Sequence, residues 1–217
     1  MIDKLKPKLV TRLNQKLPGF NAFSKLSPIP VRDYKHPDNE YRSAGVISLI
    51  YPKDGQAHLL FMKRTSKYPQ DKHAGQISFP GGKKDPTDLD MVACAVRECW
   101  EEVGVAKESY KILGSLSQLY VSVSNFLIYP YLAIADNPLN FNIETEEVSE
   151  LIEYPLAELL DYKLLSTTEI MVRGYKMKNV PYFDLQGEVL WGATSMITSE
   201  IIQLMSDLKV RPIDLKY

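Results

Sequence analysis

Residues 97–105 read Arg97-Glu98-Cys99-Trp100-Glu101-Glu102-Val103-Gly104-Val105. Three carboxylates, Glu98, Glu101 and Glu102, stand at relative positions 0, +3 and +4. On an α-helix these offsets fall within an arc of about 100°. Like charges held so close repel one another, which is a local cost to helix formation. A hard divalent cation bound through carboxylate oxygens would offset it. Upstream, Ser78-Phe79-Pro80-Gly81-Gly82 reads as a strand running into a turn, a geometry that can bring backbone oxygens to the same ion.

The helix is internally consistent. With Glu98 at 0°, Glu101 lies near −60° and Glu102 near +40°, while Cys99, Val92, Val103, Val96 and Trp100 fall roughly between 100° and 200°. One face is apolar and the adjacent face acidic, as a helix docked on a sheet beside a metal site requires. The spacing predicts a helix over 86–103, with Asp85 as N-cap, Pro86 at the first helical position and Asp88 at the third. Gly104 reads as a left-handed stop. A lone Glu-x-x-Glu-Glu is most often a solvated helix face; the Gly-Gly turn, the capped start and the following Gly-Val set this block apart.

The block resembles the Nudix box, in which a Gly and an acidic residue precede Arg-Glu-aliphatic-x-Glu-Glu-x-Gly-aliphatic. Arg97, Glu98, Glu101, Glu102, Gly104 and Val105 match, and Cys99 stands in for the aliphatic residue as a small hydrophobe. From Gly82 to Arg97 there is one residue more than the common spacing, and Asp85 and Asp88 occupy the region of the usual mid-box Glu. This longer spacing is similar to the subgroup of coenzyme A pyrophosphatases. So are Leu60-Phe61-Met62-Lys63-Arg64-Thr65, although Thr65 stands where Ser or Ala is usual, and His73-Ala74-Gly75-Gln76-Ile77-Ser78-Phe79-Pro80-Gly81-Gly82. Ser124-Asn125-Phe126, Glu147-Val148 and Leu190-Trp191-Gly192-Ala193-Thr194 extend the resemblance over roughly residues 42–205.

The resemblance implies an α/β fold, an α/β/α sandwich with a mixed β-sheet. It implies Mg²⁺ or Mn²⁺ held by Glu98, Glu101 and Glu102, joined by the Gly82 carbonyl. Both are hard ions that prefer oxygen, neutralise charge on a breaking pyrophosphate and acidify bound water. Arg97 is expected to orient one Glu or brace the turn by a charge-assisted bond, the plainer reading being a surface ion pair. The general base is a box Glu, such as Glu101, or one from a distant loop: Glu147, ahead of Glu144 and Glu146. Arg64, His73, Gln76 and Phe79 are the expected substrate contacts. His36 and His58 lack such a context and read as surface residues. The implied reaction is hydrolysis of the pyrophosphate bond of coenzyme A or acyl-CoA. The rivals are another nucleoside diphosphate derivative (ADP-ribose, NADH, a dinucleoside polyphosphate) and a catalytically silent binding module.

Bulk properties bound the rest. The 217 residues suit one domain with an extension, here 1–40 as a helical extension and connector and 41–217 as the Nudix domain. Leu5, Leu9, Leu13 and Leu17 form a packing or oligomer stripe, so a homodimer is allowed. Composition is that of a soluble globular protein, with 45% hydrophobic and 24% charged residues. A net charge of −1 gives no electrostatic case for nucleic acid or membrane. The longest apolar run, 126–135, contains Pro130 and is too short to span a bilayer. The charged start lacks an apolar signal segment, and the expected location is cytoplasmic. Cys94 and Cys99 lie about 140° apart around a helix axis and about 7.5 Å along it, which suits reduced thiols rather than a disulfide or zinc. Strands are expected at 44–51, 58–63, 76–79, 110–121 and 126–135, a strand or turn at 147–154, and short β segments at 180–183 and 189–191. Helices are expected over 1–20, from 156 to 160 and over 193–205. Loops and connectors fill 27–40 and 65–74.

Overall fold

Asp54-Gly55 between two apolar runs is a strong hairpin signal, and both residues take the positive φ that such a turn needs, 47° and 75°. Around it, β1 (Arg42–Lys53) folds back onto β2 (Gln56–Arg64) with Lys53 opposite Gln56. The computed structural model describes residues 2–28, 40–65, 75–161, 165–172 and 174–216. Strand β1 pairs in parallel with β7 (Phe126–Ile134), from Arg42 opposite Phe126 to Ile50 opposite Ile134. Two short strands bracket the Pro80 bend: β3 (Ile77–Ser78) pairs with β2, and β4 (Gly81–Lys83) pairs with the start of β1, Gly82 opposite Gly45. On the outer edges, β5 (Lys111–Ser115) and β6 (Leu119–Val121) pair with β7, and β8 (Val148–Pro155) pairs with β2. A separate antiparallel sheet is formed by β9 (Leu165–Val172), β10 (Tyr175–Leu185) and β11 (Glu188–Trp191).

Strands β1 and β2 are apolar on both faces because helices cover both, which makes the mixed α/β sandwich expected from sequence. On one face, Ile47, Leu49, Leu60 and Met62 pack against Ala95, Cys99 and Val103 of α3 (Met91–Val103). On the other, Ile50, Leu59, Phe61 and Leu132 pack against Leu5, Leu9 and Leu13 of α1 (Ile2–Leu13) and Ile197, Ile201 and Met205 of α5 (Gly192–Asp207). The leucine stripe of α1 is therefore core packing. The short helices α2 (Phe20–Phe23) and α4 (Leu156–Leu159) join the same layer through Phe23 and Leu156.

Three sequence expectations are corrected. Helix α3 starts at Met91 with Asp90 as N-cap, its carboxylate accepting from Ala93 N–H at 2.7 Å, and not at Pro86. The cause is local competition: Asp85 accepts from Thr87 N–H and Oγ1, and Asp88 accepts from Asp85 N–H, closing a turn that the backbone would otherwise spend on helix. The segment 110–121 divides into β5 and β6. His58 is buried at 5% exposure, because its register opposite Tyr51 turns it to the α3 side of the sheet. Cys94 and Cys99 are buried and free, as their spacing predicts. His36, and most of the expected connector and loop, fall outside the described residues.

One buried charge ties the layers together. Glu200 of α5 is 0% exposed and accepts three hydrogen bonds: Gly19 N–H at 2.8 Å, Ser117 Oγ–H at 2.6 Å and Ser117 N–H at 2.9 Å. Glu200→Gln keeps the shape but sets an amide NH₂ against the donors of one oxygen. The expected cost is about 2 kcal/mol of unfolding free energy, read by urea denaturation. An unchanged midpoint would mean that the carboxylate does not hold the chain around Gly19 and Ser117.

Candidate active site

The acidic helix meets the Gly-Gly turn because α3 crosses the sheet beside β4. Glu102 is almost fully buried, 1% exposed, and its Oε2 accepts Gly81 N–H at 2.7 Å while Oε1 lies 3.2 Å from Arg64 Nη1. The Glu98 carboxyl rests on the Cα of Gly82 so closely that a Cβ there would lie 2.4 Å from its Cδ. Glu101, on the outer side, is half exposed.

Arg97 is the hub of this face. Its Nε and Nη2 grip both oxygens of Asp88 at 2.9 Å, its Nη2 donates to Lys83 O at 3.2 Å, and its Nη1 lies 2.9 Å from Glu98 Oε1 and 2.7 Å from Glu101 Oε2. This bidentate grip holds the Asp88 carboxyl down at about 2. Asp88 lies in the region of the missing mid-box Glu, and the aspartate pair was its only sequence signal. Cys94 was also missed: its thiol donates to Gly82 O at 3.5 Å, and burial pushes it up to about 11.

The remaining expected residues are distributed as follows. Glu147 stands close enough for its charge to act on both Glu98 and Glu102, and its carbonyl accepts Thr65 N–H at 2.8 Å. The same loop docks at the end of α3 through Glu144 N–H to Glu102 O at 3.0 Å. Gln76 O accepts Arg64 N–H at 3.0 Å, placing Gln76 beside the Arg64 backbone. Phe79 is 2% exposed and stacks on Phe61 at 5.0 Å between centroids, so its ring belongs to the core. His73 lies outside the described residues.

The donor set suits a hard cation. Burial first, with a contribution from the neighbouring acids, raises the Glu98 carboxyl and pushes that of Glu102 up to about 8. Crowded, buried carboxyl oxygens of this kind are ligands that Mg²⁺ or Mn²⁺ would take. Among the described residues no three His, Cys, Asp or Glu side chains converge on one point, because Arg97 holds Glu98 and Glu101 while Arg64 and Gly81 hold Glu102. The Gly82 carbonyl faces the same side of the turn, beside the Cys94 thiol.

A mixed sheet between helices, with this acidic helix behind a Gly-Gly turn, is the architecture of one enzyme class, and a family model for the NUDIX domain matches residues 41–173. The chain belongs to the Nudix hydrolase family and is a pyrophosphohydrolase of it. It is 34% identical over 181 residues to an uncharacterized Nudix hydrolase NudL of Enterobacter sp. (strain 638), covering 83% of this chain and 90% of the relative. It is 33% identical over 172 residues to the human mitochondrial coenzyme A diphosphatase NUDT8, covering 78% and 72%. The fold is shared with a MutT/nudix family protein from Enterococcus faecalis at a TM-score of 0.54 and 15% identity, over 85% of this chain and 70% of that one. Among the described residues no helix is long and apolar enough to cross a membrane.

Asp88→Asn is expected to slow substrate turnover about 10- to 100-fold by loosening Arg97, and to lower stability by about 1–2 kcal/mol. The folded Asp88 carboxyl lies near 2 against an ordinary 3.8, so its contribution is complete above about pH 4 and is lost as pH falls toward 2. Denaturation midpoints across that window should converge for the parent and the variant. Parallel curves would show that the grip is not what Asp88 supplies.

Proposed function

We propose that the chain is a divalent-metal-dependent diphosphatase of coenzyme A or its thioesters. Water would attack one phosphorus, the bond from phosphorus to the bridging oxygen would break, and 3′,5′-ADP and a 4′-phosphopantetheine species would leave. The observation that carries this reading is the buried pair Glu98 and Glu102, crowded against the Gly81-Gly82 turn with one guanidinium beside each. The substrate is supported by the likeness to the human coenzyme A diphosphatase and by the long box spacing.

Glu98, Glu101, Glu102 and the Gly82 carbonyl would hold Mg²⁺ or Mn²⁺, which supplies Lewis acidity and a water of lowered pKa when bound. Arg97 orients Glu98 and Glu101, and is itself fixed by Asp88. Arg64 can exchange its contact with Glu102 for a substrate phosphate, since a guanidinium pairs with either by the same geometry. Glu147 takes the proton from the attacking water. Arg64 neutralises charge that grows on the departing oxygens. The expected site of action is the cytoplasm.

The test is product analysis by mass after incubation with coenzyme A and Mg²⁺ or Mn²⁺, beside a panel of ADP-ribose, NADH and dinucleoside polyphosphate. Appearance of 3′,5′-ADP and phosphopantetheine, lost in Glu101→Gln, is the expected result. Much faster turnover of ADP-ribose or NADH would defeat the substrate assignment and keep the chemistry. Binding of coenzyme A without turnover of any compound would defeat both.

A further inference from the structure

The charge of this chain is divided unevenly. Residues 1–28 carry six Lys and Arg against one Asp, while the remaining residues carry twenty against twenty-six, so a near-neutral chain begins with a strongly basic segment. Helix α1 buries its leucines in the core and turns Lys4, Lys8 and Arg12 outward at four-residue steps, with Lys16 one step beyond its end. A groove of about 720 Å³ runs between this face and the end of α5, lined by Lys8, Thr11, Arg12, Gln15, Lys16 and Asp207.

The acids within reach are already taken. Arg12 Nη2 and Nε hold Asp207 Oδ2 at 2.6 and 3.0 Å, and Gln203 donates to its Oδ1 at 3.0 Å. Asp214, near Lys8, is gripped by Arg211 through both carboxyl oxygens at 3.0 and 3.1 Å. Among the described residues Lys8 and Lys16 make no ion pair, and Arg12 donates its third nitrogen to Lys16 O at 3.0 Å. The groove therefore presents two ammonium groups outside any ion pair, a hydroxyl and an amide around a guanidinium paired with Asp207. Its volume lies within the about 300–1,000 Å³ of small-molecule sites. The sheet separates it from the acidic cluster, because α1 and α3 cover opposite faces.

We propose that this groove is a second binding site, for a phosphate-bearing anion. The two ammonium groups can pair with phosphate oxygens, and the neighbouring Thr11 and Gln15 can donate to them. The ligand chemistry is shared by free phosphate compounds and by anionic lipid headgroups. The inference is independent of the hydrolase reading, since neither lysine touches the candidate active site.

The experiment uses the full chain with a chelator, so that the acidic site offers no metal for an anion. Inorganic pyrophosphate is titrated calorimetrically at about 0.15 M salt, where weak surface attraction is screened. In parallel, sedimentation is measured with vesicles of phosphatidylglycerol and phosphatidylcholine in equal parts. The Lys8→Gln/Lys16→Gln double variant removes two exposed, unpaired charges and is expected to fold and to hydrolyse substrate as the parent does. Saturable binding of one pyrophosphate, weakened about tenfold or more in the double variant, is the expected result and identifies a free phosphate compound. Sedimentation with vesicles but no pyrophosphate binding, lost in the same variant, identifies a headgroup. Binding that the double variant leaves unchanged, or no binding in either arm, overturns the site.

Discussion

Glu102→Gln is expected to lower kcat/KM by about 10²- to 10³-fold while leaving the protein as stable as before. The two halves of this result have one cause. Glu102 is 1% exposed, with Arg64 Nη1 at 3.2 Å as its countercharge and Gly81 N–H at 2.7 Å as its donor. Burying a carboxylate costs far more than burying an amide of the same shape, and burial pushes this carboxyl up to about 8. An amide oxygen can still accept Gly81 N–H, so the substitution removes charge without leaving a gap. What it removes is an anionic ligand for the cation and the partner that poises Arg64. Steady-state kinetics across Mg²⁺ and Mn²⁺ concentrations, beside urea melts, separate the effects. A variant within about threefold of the parent in kcat/KM would take Glu102 out of the metal site. Loss of activity matched by loss of folding would make its role structural.

The acidic helix and its surroundings were legible because their chemistry is local. Offsets of 0, +3 and +4 place carboxylates on one helix flank whatever the tertiary context, and Gly104 stops α3 at φ 70° as its position predicts. The strands expected at 44–51 and 58–63, which fall within β1 and β2, were readable for the same reason. Less legible was anything decided by competition or by distant partners. Asp85, Asp88 and Asp90 are all plausible caps, and only the hydrogen bonds inside the 85–88 turn decide that Asp90 wins. Strand β9 is rich in Ser, Thr and Glu with most positions exposed, so no apolar alternation announced it; pairing with β10 makes it a strand. His58 looked like a surface histidine because its burial depends on lying opposite Tyr51, a fact of register rather than of composition. The grip of Asp88 on Arg97 spans nine residues and two elements, beyond the reach of helix periodicity.

Gly81 and Gly82 adjoin in sequence, yet replacing each by Ala is expected to damage different properties. At Gly81 the backbone has φ 152°, and a Cβ would lie 2.3 Å from Gly45 O and 2.6 Å from Val46 Cα. Those atoms belong to β1, which is fixed by its pairing with β4 and by Ile47 N–H to Pro80 O at 2.9 Å. Backbone cannot yield there without breaking the strand pair, so Gly81→Ala is expected to cost about 3 kcal/mol or more. At Gly82 the three atoms nearest the added Cβ all belong to the Glu98 carboxyl, the far end of a flexible side chain, from 2.4 Å. Gly82→Ala should therefore cost about 1 kcal/mol or less in stability and displace Glu98, with a loss of about 100-fold in kcat/KM. Gly187→Ala supplies the reference: its φ is 98° and nothing lies within 4 Å, so it measures backbone strain alone, about 1–2 kcal/mol. Thermal melts and steady-state kinetics of the three variants give the comparison. If Gly81→Ala melts no lower than Gly187→Ala, the close approach of β4 to β1 is not what demands a glycine. If Gly82→Ala keeps full activity, Glu98 does not need its place against the turn.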